Sequence, residues 1–174
     1  MPKHGGFMTT NALVLGAGMV GSVIAEDLAQ SGFNVMVADI NLTALERVST
    51  RSEGAIMVKE ADCSDAPVIT AMASDADIVF GALPSWLGLI ALQAVIESGT
   101  PYCDISFMEE DPRTLDEMAR DHGVTCVVDF GVAPGMSHLL CSYATHILDS
   151  CKRLDIVVGG LPVDRQWPWE YKAP

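Results

Sequence analysis

Val14-Leu15-Gly16-Ala17-Gly18-Met19-Val20-Gly21 places three glycines at the G-x-G-x-x-G spacing, between an apolar run and a helical pattern. Each glycine answers a backbone requirement. Gly16 allows a tight strand-to-helix turn, Gly18 lets the chain approach a diphosphate, and Gly21 lets the helix pack closely on the strand. Asn11–Leu15 reads as a buried strand, and Val20, Ile24 and Leu28 form an apolar stripe at helical spacing. A helix starting here aims its unpaired N–H groups and the positive end of its dipole at phosphate. Gly16, Gly18, Met19, Val20 and Gly21 are therefore the candidate diphosphate contacts. After Gly32, a helix stop, Phe33–Ala38 reads as a second strand ending at Asp39. A carboxylate about 20 residues past such glycines is placed to accept the ribose hydroxyls of an adenosine. The bland alternative is an ordinary strand–helix turn with a surface Asp.

Composition narrows the function class. The chain has 174 residues, of which 49% are hydrophobic, a net charge of −13 and five cysteines. That length suits one domain, or one domain and part of another. The acidity argues against nucleic acid, whose phosphates need clustered Lys and Arg. No apolar run reaches the ~18 residues of a membrane span, and Met1–Thr10 lacks the apolar core of a signal. The cysteines are odd in number and contain no C-x-x-C pair, which fits reduced thiols and a cytoplasmic protein without a metal site.

Strand and helix patterns alternate, the signature of an α/β doubly wound parallel sheet with a Rossmann strand order of 3-2-1-4-5-6. Asn41–Thr50 is expected to be a helix with Asn41 as its cap, and Ala55–Val58 the third strand. The loop that follows offers Asp62 and Cys63 as adenine contacts, or simply as a helix cap, before a helix over Pro67–Met72. Asp77–Gly81 is the fourth strand. Its end, Leu83-Pro84-Ser85, is expected near the nicotinamide, with Ser85 capping the next helix or touching the ribose. Trp86 to Ile96 reads as a helix whose exposed face is a contact surface for another domain or a second copy. Pro101–Ile105, Thr114–Asp121 and Val124–Asp129 read as strand, helix and strand, followed by a helix over Ser137–Asp149 and a strand over Leu154–Val158. Trp167, Trp169 and Tyr171 show no periodicity near the end. The expected division is a dinucleotide-binding domain over 9–133 and the start of a second, truncated domain over 134–174.

These residues resemble the saccharopine dehydrogenase-like family, and most of all its lysine 6-dehydrogenase branch. The resemblance runs from about Ala12 to Pro162. Its markers are Val14–Gly21, Val37-Ala38-Asp39, Gly81-Ala82-Leu83-Pro84, Asp104-Ile105-Ser106-Phe107, Leu115-Asp116-Glu117-Met118-Ala119, Gly131-Val132-Ala133-Pro134-Gly135-Met136-Ser137 and Val158-Gly159-Gly160-Leu161-Pro162. It implies an oxidoreductase acting on the C–N bond of a small amino-acid substrate, with the cofactor carrying the redox chemistry. It also implies a substrate domain that lies mostly beyond residue 174. Saccharopine-forming relatives carry an acid before the Pro-Gly pair where this chain has Ala133, which favours the simpler amine-oxidising branch. A base must take the ammonium proton. Asp104 and His138, both at element ends, are the catalytic candidates; each has a structural reading as a loop anchor or a helix cap.

Asp39 repels a 2′-phosphate, and Ile40 and Asn41 supply no cation, so NAD is expected over NADP; the alternative is that Arg47, one or two turns into the next helix, reaches back to such a phosphate. A homodimer through apolar helical surface is also expected. The rival reading is a non-catalytic NAD-sensing or ligand-gating module, which has no use for Gly131–Ser137. A short-chain dehydrogenase needs Tyr-x-x-x-Lys, and neither Tyr102 nor Tyr143 has a lysine four residues on.

Overall fold

The computed structural model describes residues 9–157 and divides the chain into two compact units, Met1–Gly131 and Val132–Pro174. In the first unit six strands form one sheet: β1 (Asn11–Leu15), β2 (Asn34–Asp39), β3 (Met57–Glu60), β4 (Ile78–Gly81), β5 (Tyr102–Asp104) and β6 (Cys126–Val127). Their order is β3-β2-β1-β4-β5-β6, and every pairing is parallel. This is the doubly wound Rossmann arrangement expected from the sequence. Connections between parallel strands need crossovers, supplied here by α1 (Met19–Gln30), α2 (Leu42–Arg51), α3 (Ala66–Ala73), α4 (Gly88–Ser98) and α5 (Asp116–Asp121). One apolar cluster joins β1 and β2 to α2 through Val14, Val37, Leu45 and Val48. The other joins Leu15, Val79 and Tyr102 to α3 and α4 through Ile69, Leu92 and Val95. Covering both faces requires near-continuous apolar strands, and β1 is one: four of its five residues are buried.

The chain reverses direction of winding between β1 and β4, and this switch point opens a crevice at the carboxyl ends of the strands. Gly16 turns there with φ +102°, its N–H donating to the Ala38 carbonyl at 2.8 Å. A side chain is strained in that conformation. One turn into α1, a Cβ added at Gly21 would overlap the Gly16 carbonyl oxygen. That close approach explains which face of α1 is buried. Gly21, Ser22 and Ala25 pack inward, whereas Val20, expected in the apolar stripe, is 52% exposed. Small residues win because the helix sits too near the strand to admit larger ones.

Several boundaries depart from expectation. β3 begins at Met57 rather than Ala55, because Ala55 N–H bonds the Ser52 carbonyl in a turn and pairing with β2 starts at Met36 and Met57. The helix expected over Trp86–Ile96 becomes a short 3-10 turn, Ser85–Leu87, followed by α4, which buries most of its residues and leaves little apolar surface. The expected six-residue strand at Val124–Asp129 shrinks to two, since β6 has a partner on one side only and β5 is itself short. In the second unit α6 spans Met136–Ile147, and Leu154–Val157 is not a strand; Val158, the Gly159–Pro162 motif and the three late aromatics lie outside the described residues. Among the described residues no helix is long and apolar enough to cross a membrane.

Gly21→Ala should move α1 off the sheet and cost about 1–3 kcal/mol of stability, as overpacking does. Urea unfolding followed by circular dichroism measures it; an unchanged midpoint would show that the helix does not depend on this contact.

Candidate cofactor site

The carboxyl edge of the sheet gathers most of the residues singled out from sequence. The Gly16–Gly21 turn follows β1, Asp39 ends β2, Asp62 and Cys63 follow β3, Leu83–Ser85 follow β4, and Asp104 ends β5. Parallel strands put all these ends on one side. His138 lies in the other unit, on α6.

The turn itself suits a diphosphate. No side chain caps α1, so the N–H groups at its start have no intrahelical acceptor. Gly18 is exposed with φ −67°, and nothing lies within 4 Å of where its Cβ would stand. A ligand can thus approach the backbone at Gly18 without meeting a side chain, as close contact with phosphate oxygens requires. Met19 and Val20 contribute main-chain N–H groups, and their side chains are exposed.

Asp39 does more than the sequence suggested. Its Oδ2 accepts from Ala17 N–H at 2.6 Å and its Oδ1 accepts from Asn41 N–H at 2.7 Å. The carboxylate thereby ties the glycine turn to the start of α2, where Asn41 Oδ1 accepts from Ala44 N–H at 3.2 Å as the expected cap. A carboxylate has about four acceptor positions, so lone pairs remain on both oxygens.

The residues after β3 have contrasting surroundings. Asp62 is exposed and folds back on itself, its Oδ1 accepting from Ser64 N–H and Oγ–H at 2.9 and 2.6 Å, contacts that lower its pKa. Cys63 is 5% exposed and belongs to the apolar cluster. Burial pushes its thiol up to about 11, with the carboxylates of Asp39 and Asp62 adding to the effect. A thiol so raised stays protonated at neutral pH and is a poor nucleophile.

Asp104 is fully buried. Its Oδ1 accepts from Ser106 N–H at 3.0 Å and from Ser106 Oγ–H at 2.8 Å, and that hydroxyl also lies 3.1 Å from the Leu83 carbonyl. Ser106 was not singled out; Asp-x-Ser is a recognisable turn signature, but it does not disclose the Leu83 partner. Asp104 Oδ1 and the Tyr102 hydroxyl occupy the space a Cβ would need at Gly81, which is why β4 ends in glycine. Tyr102 Oη and Asp104 Oδ2 are buried without a completed hydrogen bond, although the tyrosine lies close enough to favour the carboxylate. Burial raises the Asp104 pKa, the hydrogen bonds from Ser106 and the nearby Tyr102 hydroxyl pull it down, and the Asp129 carboxylate raises it further.

His138 accepts the Gly135 N–H at Nδ1, 3.3 Å away. Neutral imidazole accepting at Nδ1 carries its proton on Nε2. In this conformer His138 therefore presents a donor, and the ring's basic nitrogen is already engaged.

The family model described as the saccharopine dehydrogenase NADP binding domain matches residues 12–127. The chain belongs to this family. It is 25% identical over 131 residues to the L-glutamate-forming saccharopine dehydrogenase of Pyricularia oryzae, covering 75% of this chain and 29% of that protein. It is 26% identical to the corresponding enzyme of Saccharomyces cerevisiae, covering 95% of this chain and 38% of that one. The solved structure of the yeast apo enzyme matches with a TM-score of 0.70 at 23% identity, over 79% of this chain and 31% of that chain, a likeness of fold. The chain thus spans well under half the length of these relatives.

The family match corrects the cofactor expectation. NAD was expected over NADP from Asp39, Ile40 and Asn41, but the matching domain is an NADP binding domain. That expectation read Asp39 as a ribose acceptor that repels a 2′-phosphate, and set Arg47 aside as lying farther along the helix. Asp39 instead holds two main-chain amides, and Arg47 and Arg51 both line a cavity with Ala17 and Gly18.

The raised Asp104 pKa has a stability consequence. Between the unfolded value, near 3.8, and the raised folded value, the folded state holds a proton the unfolded chain has lost. Stability contributed by this group therefore falls as pH rises from about 4 through the folded value. Asp104→Asn should flatten that slope, and its amide can donate to the otherwise unpaired Tyr102 hydroxyl. Urea midpoints measured from pH 4 to 7 test this; identical slopes in both proteins would refute it.

Proposed function

We propose that this chain is the cofactor domain of an oxidoreductase acting on the C–N bond of an amino acid, with saccharopine or the ε-amine of lysine as substrate. The observation that supports it most is the uncapped start of α1, with exposed Gly18 beside it, at the switch point of a sheet of this family. When bound, the nicotinamide cofactor supplies the acceptor for a hydride from the carbon bearing the amine. The protein's part is placement. Main-chain N–H groups of the glycine turn hold the diphosphate, and Asp39 keeps the turn in shape.

On the other side of the switch point, Ser106 bridges Asp104 and the Leu83 carbonyl, fixing the Leu83–Ser85 loop where the nicotinamide is expected. Asp104 on this reading positions that loop and does not meet substrate, since it is buried. Trp86 and Phe107, 68% and 67% exposed after β4 and β5, provide apolar surface for excluding water near the ring.

Fluorescence titration with NADPH should show saturable binding, and Gly18→Val should weaken it at least tenfold without changing the circular dichroism spectrum. Adding saccharopine or lysine with NADP to a version of the chain extended to the full length of its relatives should then produce the near-ultraviolet absorbance of reduced nicotinamide. NADPH uptake with no reduction by either amino acid would assign the domain to binding alone and overturn the catalytic part of this reading.

A further inference from the structure

Beside the glycine turn, α1 and α2 enclose a cavity of about 150 Å³ walled by Ala17, Gly18, Ser22, Ala44, Arg47 and Arg51. At about 30 Å³ per water, it has room for roughly five waters. That is large enough for one phosphate group. Its two cations differ. Arg51 is engaged by Glu26 at 2.7 Å. Arg47 has no carboxylate among the ion pairs of the described residues, and its Nε donates to the Thr43 carbonyl at 3.3 Å. Thr43 lies one turn earlier, so this bond folds the side chain back over the first turn of α2. That turn follows directly on Asp39 and Asn41, which the Asp39 carboxylate ties to Ala17. In a chain of net charge −13, an unpaired guanidinium between these elements is a local exception to the acidic field.

We propose that Arg47 is the receptor for the 2′-phosphate of NADP, and that it is the specificity-determining residue of this chain. The inference rests on the cofactor site described above but not on any substrate. With the adenosine ribose at the end of β2, a phosphate on its 2′ oxygen projects over the start of α2, where a nearby arginine accommodates it. The guanidinium NH₂ groups are not used in the Arg47–Thr43 contact, so they remain to form two parallel bonds to phosphate oxygens. Ile40 and Asn41, the positions just after Asp39, offer no charge, so discrimination passes to a residue farther along the helix. The guanidinium also offsets the repulsion between the Asp39 carboxylate and the phosphate.

Isothermal titration of the full chain with 2′,5′-ADP and with 5′-ADP tests this without any turnover. The unsubstituted chain should bind 2′,5′-ADP about tenfold to a hundredfold more tightly, the usual worth of charge-assisted hydrogen bonds. Arg47→Ala should bring the two affinities within about twofold of each other and leave 5′-ADP binding unchanged. Arg47→Lys should keep part of the preference, because it retains the charge and loses the fork. Arg113→Ala, a remote change at a residue paired with Asp111, should alter neither affinity. Equal binding of both nucleotides by the unsubstituted chain, or equal weakening of both in Arg47→Ala, would overturn the role of Arg47 while leaving the cofactor site standing. Binding of neither nucleotide would overturn both.

Discussion

The hydrogen bond from the Ala17 amide to Asp39 Oδ2 joins two strand ends, and the geometry of the cofactor edge follows from it. Ala17 N–H belongs to the turn after β1 and Asp39 to the end of β2. Once they are tied, the glycine turn is held against the end of the sheet, and the start of α1 with it. The second oxygen of the same carboxylate takes Asn41 N–H, so the start of α2 is set by the same group. Gly21 completes the arrangement by bringing α1 against the Gly16 carbonyl at a separation no side chain permits. A single acid therefore has an architectural task that precedes any contact with ribose.

Across the switch point a second acid performs comparable work under different physical conditions. Asp104 is buried and Asp39 is not, so its carboxyl is driven toward the neutral form, and Ser106 supplies the hydrogen bonds that make the burial tolerable. Through Ser106 it reaches the Leu83 carbonyl, and through its size and that of Tyr102 it excludes any side chain at Gly81. Both acids hold main chain. The difference is that one sits beside an open crevice and the other is sealed within the sheet.

Much of this was legible in the residues. The glycine spacing, the apolar strands and the Asn41 cap each follow from local backbone chemistry, and the strand order is the usual one for a dinucleotide-binding alternation. Other readings failed for reasons outside local chemistry. Val20 fits a helical stripe, yet the buried face of α1 is chosen by how near the strand lies, which no periodicity encodes. The shortness of β6 reflects having one neighbour. The cofactor expectation weighed only Asp39 and its near neighbours, whereas the family match points to NADP, and the structure shows the acid already holding two main-chain amides.

Sequence alone determined that this chain builds a parallel α/β sheet with a glycine turn after its first strand, because glycine conformational freedom, side-chain period and helix capping act over a few neighbouring residues. Tertiary structure alone decided that Asp39 anchors the turn, that Asp104 is sealed within the sheet behind Ser106, and that Arg47 shares a cavity with Gly18. Those outcomes depend on distances between segments far apart in the chain, and packing sets such distances only when the whole sheet has closed.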